Sequence, residues 1–204
     1  MMTNQTTTKT RKDVLQEFRK SELLAAARVV FSKKGFHEAT IDDIAREAGV
    51  AKGTVYLYFK SKQDIYLDAL RDGISHLNSR MRQEAAGDEP ASAKLRRLLA
   101  TKIAFFDENS EFFQILQSEL GRGGNACIAD CEDLYFEQSR IIEGILQQGI
   151  REGTMRKMNT KKASFAITDL TRGIAIQRIL GWSKTRLNEE VEFMFNLILK
   201  GVGK

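Results

Sequence analysis

The sequence predicts an all-α protein, and three observations carry that reading. Apolar residues recur at spacings of three and four along most of the chain. Pro90 is the only proline in 204 residues, so little interrupts a helical run. Clusters of turn residues are few, and a hydrophobic content of 42% is enough to build a core. The elements follow in order. Residues 1–12 are polar and Thr-rich and end in Lys9, Arg11 and Lys12; they read as a frayed tail or as a basic arm for DNA. A first helix is expected over 13–34, with Leu23, Leu24, Ala27, Val30 and Phe31 on one stripe. Gly35 ends it, and Phe36 folds back as the apolar partner of that cap.

Residues 40–59 are the most informative stretch. Thr40 caps a second helix, with Asp43 in the capping-box position three residues on. Ile41, Ile44 and Ala48 share a face, and Gly49 supplies the left-handed residue that ends the helix. A third helix starts at about Ala51. Ala45 is small where the two helices approach, Gly49 makes the turn, and Val55 packs back. That pattern is what a helix-turn-helix requires, and its second helix enters the major groove of DNA. Gly53 and Thr54 are small residues at the front of that helix. An interior Gly costs about 1 kcal/mol relative to Ala, which suits close approach to DNA rather than helix stability. Lys52 reaches a guanine edge or a phosphate, and Thr54 a thymine methyl or a phosphate. The hydroxyls of Tyr56 and Tyr58 sit on long rigid arms suited to phosphate oxygens. Val55, Leu57 and Phe59 read as core.

Ser61 and Asp64 set up a cap for a fourth helix over 62–85, with Ile65, Leu67, Leu70, Ile74, Leu77 and Met81 inside. Gly87-Asp88-Glu89-Pro90 breaks the chain. Further helices are expected over 91–107, 110–120, 126–151, 160–181 and 188–201, with Asn109, Asn159 and Asn188 as caps and a flexible loop over 121–124. Phe105, Phe106, Phe112, Phe113 and Phe136 cluster in sequence, and Trp182 is the only tryptophan. They serve either as helical core or as a pocket for an apolar small molecule. Arg172 and Arg178 interrupt an otherwise apolar helix and face a pocket, an acidic partner or solvent. The last helix is apolar nearly all round, through Val191, Phe193, Met194, Phe195, Leu197, Ile198 and Leu199. Such a helix needs cover on more than one side. A second subunit supplies it, with Ile167, Leu170, Ile174 and Ile179 of the preceding helix joining a four-helix interface.

The pattern Phe31-(x)3-Gly35-Phe36, Thr40-(x)3-Ile44-Ala45-(x)2-Ala48-Gly49-Val50-(x)2-Gly53-Thr54-Val55-Tyr56-(x)-Tyr58-Phe59-(x)-Ser61-Lys62 resembles the N-terminal signature of TetR-family transcriptional regulators. The resemblance covers about a quarter of the chain. It implies an N-terminal three-helix DNA-binding domain over 1–60, followed over 61–204 by a helical effector-binding and dimerisation domain, with the fourth helix linking the two. It implies that Thr40, Tyr56, Tyr58 and Lys62 contact the DNA backbone. The chain departs from the pattern at Ala51, where Ser is common; the loss of that cap costs about 1 kcal/mol. The stretch from Val50 to Phe59 is also similar to regulators of fatty-acid degradation within the family, which respond to acyl-coenzyme A. Arg122, Arg172 and Arg178 are then available for phosphates.

Charge agrees with a DNA reader. Residues 1–85 hold 15 basic and 11 acidic residues, and the remainder 17 and 16, so most of the net charge of +5 accompanies the motif. No apolar run approaches the ~20 residues of a membrane span, and no secretory leader is visible. Cys127 and Cys131 suggest reduced thiols without metal, and the cytoplasm is the expected location. The expected protein is a repressor that leaves a palindromic operator when a small lipophilic effector binds. That effector is an acyl-coenzyme A or a drug-like compound, and the protein is a homodimer through the last two helices. The alternative is a DNA-bound dimer acting through a protein partner. An enzyme is not expected: there is no nucleophile–base set, no metal motif and no phosphate loop.

Overall fold

The computed structural model describes residues 10–113 and 131–202. Its helices are α1 (Arg11–Glu38), α2 (Ile41–Glu47), α3 (Lys52–Tyr56), α4 (Lys62–Ala85), α5 (Ala91–Glu108), α6 (Glu132–Arg151), α7 (Thr160–Ile179) and α8 (Leu187–Val202). Among the described residues there is no strand. Residues 110–113 open a further helical segment. The rest of the helix expected over 110–120, the 121–124 loop with Arg122, Cys127 and the first turn expected of α6 lie outside the described residues.

The chain divides into two compact units, Met1–Asp72 and Gly73–Lys204, with the division inside α4. In the first unit, α1 starts earlier than the apolar stripe suggested, because Thr10 and Asp13 form a reciprocal capping box. Gly35 breaks α1 with φ 74°. Phe36 then stacks on Phe31, with ring centroids 5.8 Å apart. Tyr66 of α4 sets its ring edge against both, at 5.4 and 5.6 Å. Tyr66 is fully buried, whereas Leu67 and Ile74, expected inside, are only half-buried. Lys20–Asp68 and Arg28–Asp72 tie α1 to α4 at 2.6 and 2.5 Å.

In the second unit α5 packs against α6, α7 and α8, and α6 packs along α7. Asn159 caps α7 by accepting from the Lys162 N–H at 2.9 Å. Asn109 instead closes the C-terminus of α5, its amide donating to the Phe105 carbonyl at 2.7 Å. Asn188 lies within α8, which begins one residue before it. Ile167, Ile174 and Ile179 of α7 are buried within this chain, as are Val191, Met194, Phe195 and Ile198 of α8. Phe193 and Leu197, one turn apart on α8, remain 61% and 48% exposed.

Arg178 finds an acidic partner. It makes a two-pronged bond to Asp107 of α5 at 2.7 and 2.6 Å and a further bond to the Thr185 carbonyl at 2.7 Å. Glu190 of α8 lies 3.6 Å away. One guanidinium thus joins α5, α7 and α8. Removing one member of a buried pair leaves the other charge stranded, typically at 3–5 kcal/mol; Asp107 is a third exposed, so the loss is smaller. Arg178→Met is expected to lower unfolding free energy by about 2 kcal/mol, measured by denaturant titration.

Candidate functional site

The first unit builds its outward surface around α2, a turn and α3. Thr40 caps α2 in a complete box: its hydroxyl accepts from the Asp43 N–H at 3.1 Å, and the Asp43 carboxylate accepts from the Thr40 N–H at 3.1 Å. After Ala48 the chain reverses at Gly49, whose φ of 66° is unfavourable for any residue with a Cβ. The Val50 N–H then donates back to the Ala45 carbonyl at 2.9 Å and locks the reversal. Val55 and Ile44 are fully buried and Ala45 nearly so. Small Ala45 lets α3 approach α2 closely, and Val55 fills the gap. Ala51 stands at the N-cap of α3 without a side-chain bond, so α3 begins uncapped.

The face of α3 turned from this core is open. Nothing lies within 4 Å of the position a Cβ would take on Gly53. Lys52 is exposed and its Nζ donates to Asp42 at 2.6 Å, an ion pair that raises the lysine pKa. Thr54 is half-buried at the foot of the helix. Tyr56 is 51% exposed. Tyr58 is half-buried, its ring 6.4 Å from that of Phe59, which is core. Leu57, expected in the core, is 81% exposed: it continues the helical turn as the C-cap of α3, and Val55 and Phe59, two residues to either side, take the buried side.

Lys62 has a bracing role the sequence did not announce. Its Nζ donates to the His37 and Ala39 carbonyls, each at 2.9 Å, and lies 4.7 Å from the centre of the Phe36 ring. An ammonium carries three donors, and two are committed here among the described residues. The cap of α4 differs slightly from the expected box. Ser61 accepts from the Asp64 N–H at 3.1 Å, but the Asp64 carboxylate takes the Lys60 N–H rather than that of Ser61.

In the second unit the predicted ligand residues separate into groups. Phe105, Phe106, Phe112 and Phe113 form one cluster with ring centroids 4.9–5.9 Å apart. Phe136 instead meets Tyr135 and Phe165, and with Ser139, Arg140, Glu143, Lys161 and Asp133 lines an open cavity of about 490 Å³ between α6 and α7. Arg172 is exposed, paired with Asp169 at 2.9 Å and 5.4 Å from the centre of the Tyr135 ring. Arg178 is engaged by Asp107, and Trp182 is 76% exposed. Cys131 is half-buried at the N-cap of α6 and forms no disulfide among the described residues. Among the described residues no group of His, Cys, Asp and Glu has metal-binding geometry. No helix of the described residues is long and apolar enough to cross a membrane.

A short helix seated by a tight turn on a capped one, with its open face outward, defines a helix-turn-helix DNA-binding protein. The family model for bacterial regulatory proteins of the tetR family matches residues 23–69. The transcriptional repressor KstR2 of Mycolicibacterium smegmatis is 30% identical over 139 residues, 68% of each chain. The chain therefore belongs to the TetR family of bacterial transcriptional regulators and is not an enzyme. The fatty acid metabolism regulator protein of Bacillus subtilis is 26% identical over 136 residues, 67% of this chain and 70% of that one. In fold, the chain is similar to the transcriptional regulator FadR of Bacillus subtilis in complex with stearoyl-CoA. The TM-score is 0.73 at 23% identity, covering 89% of this chain and 98% of that one.

Asp43 is the electrostatic hub of this surface. A bond from Lys34 first, and those from Thr40 next, hold its carboxyl well below the usual carboxylate range. A depressed carboxylate contributes stability above its ordinary pKa, and that contribution is lost as pH falls below it. Asp43→Asn is therefore expected to flatten the acid limb of the stability–pH curve below about pH 4. Thr40→Ala is expected to cost about 1 kcal/mol at neutral pH. Thermal melts across the pH range read both.

Proposed function

We propose that this protein is an effector-released repressor that binds a palindromic operator as a homodimer. The open, uncapped α3, with Lys52 and Tyr56 exposed, Gly53 facing open space and Thr54 half-buried beside them, is the observation that carries the reading. Thr40, Tyr58 and Lys62 flank it and contact phosphates, together with the free N–H groups at the starts of α2 and α4. Two copies of α3, about one DNA turn apart, read the two half-sites.

The exposed pair Phe193 and Leu197 on α8, with Trp182 just after α7, supports a subunit contact through the last two helices. A second copy buries these side chains isologously. A small lipophilic effector occupies the second unit near the phenylalanine cluster. The similarity to a fatty acid metabolism regulator and to a FadR bound to stearoyl-CoA favours a long apolar chain over a polar metabolite. By linkage, the effector binds the DNA-incompetent arrangement more tightly than the competent one.

Mapped genomic sites should yield a palindrome that the purified protein binds in a mobility-shift assay, with release on adding a long-chain acyl-CoA. Equal affinity for random DNA would overturn the reading. Tyr56→Phe should weaken operator binding by about tenfold, the worth of one hydrogen bond to a charged oxygen. Phe193→Glu with Leu197→Glu should convert the dimer to a monomer in light scattering and abolish operator binding.

A further inference from the structure

Lys102 is the unexplained residue of the second unit. It stands in α5 within the stripe of Leu95, Leu98, Leu99, Ile103 and Phe105 and is 1% exposed. Among the described residues its Nζ makes one hydrogen bond, to the Thr168 carbonyl of α7, at 3.4 Å. That carbonyl already accepts the Thr171 hydroxyl at 2.8 Å. The other buried hydroxyls of α7 are turned elsewhere: Thr168 donates to the Ser164 carbonyl, and Ser164 shares a bond with Ser139.

No counter-anion is committed to this ammonium among the described residues. The charged groups acting on it are Arg172 and Asp169, both on α7. Asp169 is engaged by Arg172 at 2.9 Å and by the Tyr135 hydroxyl at 3.0 Å. Burial first, then Arg172, push the Lys102 pKa down to about 7, with Asp169 opposing. A buried ammonium with one marginal acceptor destabilises a fold that a methionine there would serve better. Phe105 and Phe106 follow three and four residues later, on the same side of α5, and belong to the aromatic cluster. A buried cation thus stands one helical turn from a buried aromatic cluster, and the pair is complementary to an amphiphile with one acidic end.

Resting on the effector reading above, we infer that Lys102 anchors the carboxylate of an apolar monocarboxylic acid, a free fatty-acid-type ligand, whose chain lies along the phenylalanine cluster. The ligand carboxylate supplies the missing acceptor and counter-charge. A neutral ester lacks that charge, and a coenzyme A thioester carries its charges on distant phosphates.

The anchoring makes binding proton-linked. Burial among apolar residues favours the neutral lysine in the free protein, and the bound carboxylate restores its proton. Binding of the acid therefore takes up about one proton and weakens as pH rises. The test is calorimetry on the full chain at about pH 8.5, in two buffers of different ionisation heat. The probes are oleate, methyl oleate and oleoyl-CoA, against wild type and Lys102→Met. Oleate should bind with proton uptake and exceed the methyl ester by about tenfold, the equivalent of one pKa unit of interaction. Lys102→Met should fold, melt at a higher temperature without ligand, and lose both the proton uptake and the preference for acid over ester. The assignment is overturned if oleate does not bind, if ester and acid bind the wild type equally, or if the variant keeps the preference. Operator release by oleoyl-CoA without oleate binding would sink the Lys102 assignment and leave the effector reading standing. Failure of every lipophilic compound to release operator would sink the effector reading, while the acid–ester comparison still decides Lys102.

Discussion

A helix of five residues does not form by itself. Nucleation is unfavourable, and helices shorter than about 12 residues are marginal in water. Here α3 also lacks a capping side chain. Its existence depends on Val55, wedged fully buried against α2, and on the reversal closed by the Val50 N–H on the Ala45 carbonyl. The exposed face of α3 is therefore a product of tertiary packing. Residues turned inward, such as Ile44, Phe59 and the Phe31–Phe36–Tyr66 ring cluster, hold the frame that presents Lys52 and Tyr56.

That dependence explains which features could be read from sequence. Thr40, Asp43 and Gly49 act through local hydrogen bonds and backbone geometry at fixed spacing, so their roles were readable directly. Gly35 and Asn159 were readable for the same reason. Tyr66, Leu57 and Lys62 were not, because their environment is set by residues distant in sequence. Leu57 is apolar yet lies past the last turn of α3, and Lys62 reaches back 25 positions to the His37 carbonyl. The proposed ligand residues show the same limit. Clustering in sequence brought four phenylalanines together in space, but Phe136 belongs to another helix pair.

Lys102 is an instructive omission. Its spacing from Leu95, Leu98 and Leu99 puts it on the buried side of α5, so the pattern marked the position as core. The residue type contradicted the position, and such contradictions collect where a protein does something besides fold. The second unit tolerates other buried polar groups, but with partners. Lys94 donates to the Gly87 carbonyl at 2.6 Å and to Gln148 at 2.9 Å. The amide nitrogen of buried Asn78 donates to the Leu134 carbonyl and to Glu137, although its oxygen has no partner among the described residues.

The Asp42–Lys52 contact bears on how the protein would respond to ionic strength. Salt sensitivity of DNA association counts the cations displaced from phosphates, about 0.9 per contact on a duplex. A lysine that must leave a carboxylate before meeting a phosphate hands that carboxylate back to the solvent's cations. If Lys52 meets a phosphate as proposed, the displaced and recaptured ions would partly offset each other, and it would add less to the salt slope than its formal charge suggests. On the proposed reading, Asp42, carried on the neighbouring helix, would temper the response of this one basic residue to electrolyte.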